Sequence, residues 1–437
     1  MVHGEHNDDV LNIRGTVLGM PTHPHHSNAA QYPSYRNLPA PNIDPKEVGS
    51  QGWSVHDLPL PTMSLREDAL QHNVDLHAAW CQKLNVAQAP HVKTHMSPEL
   101  TQRQLQAGSW GLSAASAHQA RFLASLNVPR ILIVQEVVDQ PNIAILGELL
   151  NADADLNLMV IADSIAGVDA LERALAAAQV TNKLGVLVEL GLPGGRTGAR
   201  TIDEATAIAR HITEQPHLTL VGVEGYEGVL PAGRDEEAFT PVDEFLADVQ
   251  RAATHFDSLG LFAETDEIVI TAGGSVYPDR VAFIDRPALS KPHIVVVRAG
   301  ATITHDHGPR SAFAPLAPEA ENELGSLRPA LEVWANVVSV PEENLALANF
   351  GKRDVPFDLG LPLVLEVFRN GEPVSVSDVE VIDTNDQHGF LRHGGQLEVG
   401  DTLRLGPRHP CTAFDKWPLI PLINEQNQVT GAVTTWF

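Results

Sequence analysis

Ala89-Pro90-His91-Val92-Lys93-Thr94-His95-Met96-Ser97-Pro98-Glu99 is the stretch on which the fold of this chain turns. A single lysine ends an apolar, proline-flanked run that begins at Ala87, and Ser97 followed by Pro98 marks the start of a helix. The order predicted is strand, then helix, with Lys93 at the C-terminal mouth of the strand. A lysine partly desolvated in that position attacks carbonyls as the free amine. An ordinary strand-end lysine would simply snorkel into water. What sets Lys93 apart is a second cluster far along the chain, Pro407-Arg408-His409-Pro410-Cys411. His-x-Cys is a metal-ligand spacing, so the two clusters point to one site built from a lysine-bound cofactor and a metal ion.

From Trp53 onward the same texture repeats. Ala87–Lys93, Trp110–Ala114, Ile131–Gln135, Leu158–Ala162, Leu184–Glu189, Leu218–Glu224, Glu267–Ala272 and Ile294–Arg298 are short apolar runs of the kind buried parallel strands carry. Between most of them lie helical periods, as in Leu65–Lys83, Glu99–Ala107, Ala117–Ser125, Ile165–Ala178, Ile202–Ile212 and Val242–Leu259. The connection after Val276 is short and contains proline, which argues against a full helix there. Eight strands alternating with helices over roughly 250 residues is the count of a (β/α)8 barrel. An open doubly wound sheet should carry Gly-x-Gly-x-x-Gly after its first strand, and that motif is absent. Barrels place their chemistry at the C-terminal strand ends and often bind phosphate in the loops after strands seven and eight. Lys93 ends the first run, and Ala272-Gly273-Gly274-Ser275 follows the seventh. Two glycines and a serine let backbone N–H groups curl round an anion.

Beyond Ala299 the pattern turns to β segments: Leu331–Val340, Leu363–Phe368, Val379–Ile382, Leu403–Leu405 and Val429–Thr434. Asn370-Gly371 between two of them is a hairpin turn. The expected organisation is therefore an N-terminal extension over 1–52, a (β/α)8 barrel over 53–300, and an all-β domain over 301–437 that carries the metal pair. The extension is rich in His, Pro, Asn and Ser and reads as draped over the fold or partly disordered. With 29 basic against 55 acidic residues and no basic block, the chain is unsuited to nucleic acid or anionic membrane surfaces. Two cysteines, Cys81 and Cys411, are too few for a disulfide framework. No signal peptide is apparent and no apolar run approaches the ~18 residues of a membrane span, so a cytoplasmic protein is expected.

In an extended segment, residues i and i+2 face the same way with Cα atoms about 6.5 Å apart, so His409 and Cys411 can converge on one ion. Imidazole with thiolate favours zinc over magnesium or calcium, and two protein ligands leave room for substrate. His305, His307, His388 and His393 are further candidate ligands.

Taken in order, Pro90-His91-Val92-Lys93-Thr94-His95, Leu190-Gly191-Leu192-Pro193-Gly194-Gly195-Arg196-Thr197-Gly198, Gly225-Tyr226-Glu227-Gly228, the Ala272–Ser275 turn and His409-Pro410-Cys411 resemble one family. It is the pyridoxal-phosphate (PLP) enzymes of the D-serine dehydratase and D-threonine aldolase type, which share the barrel of alanine racemase and add a C-terminal β domain. The resemblance covers about Trp53 to Phe437. It implies that Lys93 holds PLP as a Schiff base and that Gly273, Gly274 and Ser275 cradle the cofactor phosphate. His91, Arg196 and Tyr226 complete the implied cofactor pocket, with Arg196 set to meet the cofactor ring or a substrate carboxylate; Arg298 is a weaker candidate. His409 and Cys411 would hold zinc, the His-x-Cys of dehydratase members, whereas many aldolase members carry His-x-Asp. The match to alanine racemase itself is poorer, because Thr94-His95-Met96 replaces the tyrosine-containing block after its lysine. The implied activity is dehydration of a D-serine-like or D-3-hydroxyaspartate-like substrate to a 2-oxo acid and ammonia. A D-threonine-type aldolase is the alternative, and a non-enzymatic PLP carrier a third, against which the extra β domain counts. Family members are often homodimers, and a homodimer is expected here.

Overall fold

The computed structural model describes residues 34–284, 288–309, 311–318, 320 and 322–437. The chain enters through its C-terminal domain. Thr62–Arg66 (β1) forms a strand whose partners lie far ahead in sequence: Leu65 pairs antiparallel with Leu331 and parallel with Leu422. Glu67–Lys83 (α1) then leads to the barrel. The described residues before Glu67 thus go with the β domain, although the periodicity alone assigns Leu65 to the helix. The described part of the N-terminal extension packs there too. Leu38 and Val48, with Val55 and Leu58 just beyond, cluster with Trp334, Phe368 and Leu419. The first 33 residues lie outside the described ones.

The barrel strands are Ala87–Gln88 (β2), Leu112–Ala114 (β3), Arg130–Ile133 (β4), Asn157–Ala162 (β5), Leu184–Leu190 (β6), Leu218–Gly225 (β7), Ile268–Ala272 (β8) and His293–Val297 (β9). Neighbours pair in parallel from β3 through β9, and β9 returns to β2. The Trp110 amide donates to Gln88 O at 3.0 Å and the Ser113 amide to Pro90 O at 3.0 Å, joining β2 to β3. Successive side chains alternate between the two faces. Leu132, Met159, Ile161, Leu187 and Val269 fill the barrel interior. Their neighbours Ile131, Ile133, Leu158, Val160, Val186 and Ile270 pack outward against the helices. Burial on both faces is why these strands read as unbroken apolar runs.

Pro98–Gln106 (α2), Ala117–Ser125 (α3), Gln140–Ala152 (α4), Ile165–Ala177 (α5), Ile202–Thr213 (α6) and Glu236–Ser258 (α7) connect the strands. Each begins behind a side chain that accepts from an early backbone amide: Ser97, Ser116, Asp139, Ser164, Thr201 and Asp235. Such caps are worth about 1 kcal/mol each and fix where each loop stops. α7 starts before Pro241, which periodicity had placed outside it; a proline this near the N-terminus disturbs few hydrogen bonds. Between β8 and β9 the described residues form one short helix, Pro278–Ala282 (α8).

Leu331–Glu342 (β10), Leu345–Ala348 (β11), Leu363–Arg369 (β12), Glu372–Val374 (β13), Glu380–Thr384 (β14), Gly389–Arg392 (β15), Thr402–Gly406 (β16), Leu419–Ile423 (β17) and Val429–Thr434 (β18) build the second domain together with β1. β12 and β13 are joined by Asn370 at φ 54° and Gly371 at φ 82°, the left-handed pair that a two-residue hairpin needs. A buried ion pair, Arg66 Nε to Glu332 at 2.9 Å, ties β1 to β10. Among the described residues no helix is long and apolar enough to cross a membrane.

Candidate active site

A cavity of about 670 Å³ opens at the C-terminal ends of the barrel strands, roofed by residues of the β domain. His91, Lys93, Arg196, Tyr226, Gly273, Gly274, Ser275, His409 and Cys411 all line it. The structure therefore brings together side chains separated by more than three hundred residues.

Lys93 does not sit on a strand. Pro90 lacks an amide donor, the ladder of β2 stops at Gln88, and Val92–Thr94 turns into a single 3-10 turn. His91 caps that turn, its Nδ1 accepting from the Lys93 amide at 3.3 Å. The turn projects Lys93 into the open cavity, so its side chain is exposed rather than partly desolvated as expected. Burial holds the His91 imidazole well below its ordinary pKa, with Lys93, Arg298 and Arg196 adding to the effect. His91 is thus a neutral support for the turn.

The Gly273–Ser275 turn lines the cavity as well, and its glycines let it pack closely against buried side chains. A Cβ at Gly273 would come 2.6 Å from the Arg298 guanidinium, and one at Gly274 would come 2.4 Å from Glu227 Oε1. Gly300, after β9, also lines the cavity, and a Cβ there would come 2.5 Å from His91 O. Arg298 cannot readily step aside. It is buried, donates to Thr271 Oγ1 at 2.7 Å and forms a short ion pair with Glu224. Arg196 lies 3.8 Å from buried Glu189 and stacks 4.2 Å from the centre of the Tyr226 ring.

His409 and Cys411 come from the loop after β16. His409 Nδ1 meets Asp358 Oδ2 at 2.6 Å, and Thr412 donates to the other Asp358 oxygen at 2.9 Å. Thr94, next to Lys93, lies 3.3 Å from Cys411 Sγ. Burial opposes ionisation of Cys411, but the hydrogen bond from His409 and that from Thr94 outweigh it and lower the thiol pKa. The same bond to Cys411, helped by Asp358, raises His409 to about 9. Without an ion the two share a proton; a metal that displaces it would meet a thiolate and an imidazole whose Nδ1 is already oriented by a carboxylate. Of the four further histidines, His305 lines the cavity while His307, His388 and His393 do not.

Glu136, Asp163 and Glu189 form an acidic cluster, with one ligand atom from each within 4.8 Å of the others. Thr197 donates to Glu189 at 3.0 Å and the Gly198 amide to Asp163 at 3.1 Å. Burial, then hydrogen bonding to Glu136 and the charges of Glu224 and Glu136, push Glu189 up to about 10. The cluster offers only oxygen ligands, which suit a harder ion than the thiolate and imidazole of Cys411 and His409 do. The sequence motifs single out neither Asp358 nor Gly300 nor the acidic cluster, and include Thr94 only as a member of the Pro90–His95 block. Asp358, Gly300 and the cluster acquire their neighbours through the tertiary fold.

Comparison with known proteins agrees with this architecture. A model of the "Alanine racemase, N-terminal domain" matches residues 65–268, and one of the "Putative serine dehydratase domain" matches residues 330–423. The chain is 26% identical over 363 residues to a D-threonine aldolase of an Arthrobacter species, covering 81% of this chain and 86% of the relative. It is 25% identical over 371 residues to a 3-hydroxy-D-aspartate aldolase of Paracoccus denitrificans, covering 83% and 89%. The structure of D-threonine aldolase from Filomicrobium marinum superposes with a TM-score of 0.73 at 22% identity, covering 88% of this chain and 97% of that one. That of D-threo-3-hydroxyaspartate dehydratase from Delftia sp. HT23 gives 0.67 at 20% identity, covering 86% and 97%. The chain thus carries an alanine racemase-type N-terminal domain followed by a putative serine dehydratase domain, and across most of its length it is similar to D-threonine and 3-hydroxy-D-aspartate aldolases.

Proposed function

We propose that this protein is a PLP- and zinc-dependent lyase that dehydrates 3-hydroxy-D-amino acids to a 2-oxo acid and ammonia. The observation that carries this reading is the convergence of Lys93, the Gly273–Ser275 turn and the His409–Cys411 pair on one cavity. The residues fit the cofactor. Lys93 offers an accessible amine, and the Gly273–Ser275 turn brings to the same cavity the kind of backbone that cradles a phosphate. They also fit a borderline-soft metal, through one thiolate and one imidazole.

When bound, PLP supplies an electron sink for charge developing at Cα, and the metal a Lewis acid for the β-oxygen. The chain's own residues do the rest. Lys93 takes the Cα proton, since its 3-10 turn points the amine into the cavity. His409 and Cys411 fix where the β-hydroxyl binds, and Asp358 holds His409 in the orientation that leaves its other ring nitrogen for the ion. Arg298 and Glu224 form a rigid buried pair behind the glycine turn.

Cys411 favours dehydration, because His-x-Cys accompanies that reaction in the family. The two curated relatives are named aldolases, which supports retro-aldol cleavage to glycine and an aldehyde as a second reading. The test is stoichiometric: protein loaded with PLP and zinc is expected to release ammonia and 2-oxo acid in equal amounts from D-serine.

Two variants probe the supports. Gly273→Ala places a methyl group against the Arg298 guanidinium and is expected to weaken PLP binding roughly tenfold or more, read by absorbance titration. Asp358→Ala removes the orienting carboxylate of His409 and is expected to lower zinc affinity about 10- to 100-fold, read by competition with a chelating dye. Unchanged zinc affinity would mean that Asp358 does not orient a ligand.

A further inference from the structure

Two arginines in the cavity, Arg196 and Arg408, have no task in the reaction described above. Among the described residues four basic side chains line the walls: Lys93, Arg196, Arg298 and Arg408. Arg298 is bound by Glu224 and Thr271, and Arg196 by Glu189 and the face of Tyr226. Lys93 is taken up by the cofactor. Arg408 differs from all three. Among the described residues it forms no ion pair, and its half-buried side chain holds an Nε with no hydrogen-bond acceptor.

An unmatched buried guanidinium N–H is costly, and in a chain of net charge −26 carboxylates are plentiful. The cavity itself contains Glu136 and Asp306, yet neither forms an ion pair with Arg408. The Arg408 side chain lies across Gly360, where a Cβ would come 3.2 Å from both Cδ and Nη1. A guanidinium fork facing a cavity without its own counter-ion is matched to a carboxylate. Arg408 also directly precedes His409, so one loop carries both the cation and the pair that receives the β-hydroxyl. The substituent that shares Cβ with that hydroxyl is the group this loop meets.

We infer that Arg408 is a specificity-determining residue that binds a carboxylate carried on Cβ of the substrate. The preferred substrates are then 3-hydroxyaspartate-like dicarboxylates rather than serine or threonine. This inference rests on the lyase reading above for the nature of the substrate, but not for the presence of a dicarboxylate receptor.

Two measurements on the full-length protein loaded with PLP and zinc test it. In Arg408→Gln, kcat/KM for 3-hydroxy-D-aspartate is expected to fall about 100-fold while that for D-serine changes less than about threefold, with Arg408→Lys recovering part of the loss. Succinate, which cannot react, is expected to bind wild-type protein at least about tenfold tighter than propionate by calorimetry, a preference that Arg408→Gln erases. Equal losses on both substrates would place the guanidinium at the common α-carboxylate and overturn the inference. So would equal binding of succinate and propionate by wild-type protein, a comparison that needs no variant. A succinate preference without turnover of any 3-hydroxy-D-amino acid would remove the lyase reading and leave the receptor. Turnover without that preference would remove the receptor alone.

Discussion

Replacing Lys93 with alanine is expected to abolish turnover, lowering kcat by roughly a thousandfold or more, because both the cofactor's covalent anchor and the Cα base are lost. The variant should still take up PLP weakly through the Gly273–Ser275 turn, so loss of colour alone is the poorer readout. In wild-type protein, borohydride is expected to fix PLP to the peptide containing Lys93. The structure makes this specific. Lys183 pairs with Glu264 at 2.6 Å, Lys291 donates to Ala263 O at 2.7 Å, and Lys352 lies over the Phe357 ring at 5.6 Å. None of these lysines lines the cavity. Label on any of them would show that the cofactor binds elsewhere.

Removal of the metal is the second large effect. Hydroxide is a poor leaving group, and a Lewis acid on the β-oxygen contributes several kcal/mol to its departure. Chelation is therefore expected to reduce dehydration by about a thousandfold while leaving PLP attached to Lys93. Exchange of the Cα proton with solvent should persist, since Lys93 and the cofactor suffice for it. Cys411→Ala should behave like the chelated protein, because half of a two-ligand set is gone. Cys411→Asp supplies a harder oxygen ligand, and is expected to shift metal preference toward manganese or magnesium and to raise the aldol share of products. Full dehydration by rigorously metal-free protein would reduce Cys411 to a thiol hydrogen-bonded to Thr94.

Much of the barrel was legible because its strands are buried on both faces. Leu158–Ala162 and Leu184–Glu189 are apolar runs with no competing period, and they match β5 and β6 within one residue. The Asn370-Gly371 turn was legible because only one backbone geometry uses that pair so readily. Two failures share a cause. Leu65 was assigned to a helix because its apolar neighbours continue the period of α1, whereas pairing with Leu331 and Leu422 makes it a strand residue. The run ending at Lys93 looked like a strand throughout, but the proline and the His91 cap break it into a turn. In both cases the apolar pattern was outweighed, by tertiary strand partners at Leu65 and by the proline and the His91 cap before Lys93. Site residues with a motif around them were legible, as Lys93, Gly273 and His409 illustrate. Asp358 was not, because an aspartate in a loop has no distinguishing mark until the fold brings His409 beside it, and the motif that contains Thr94 gave no sign of its contact with Cys411.

The central claim is a metal-assisted dehydration at a lysine-held cofactor, and a product panel tests it most directly. Protein loaded with PLP and zinc is incubated with D- and L-serine, D- and L-threonine, and both C2 enantiomers of 3-hydroxyaspartate, and ammonia, 2-oxo acid, glycine and aldehyde are all quantified. Equal ammonia and 2-oxo acid, from the D-substrates and only when zinc is present, is the predicted result. Glycine and aldehyde as the sole products, or equal turnover of the L-enantiomers, would contradict it.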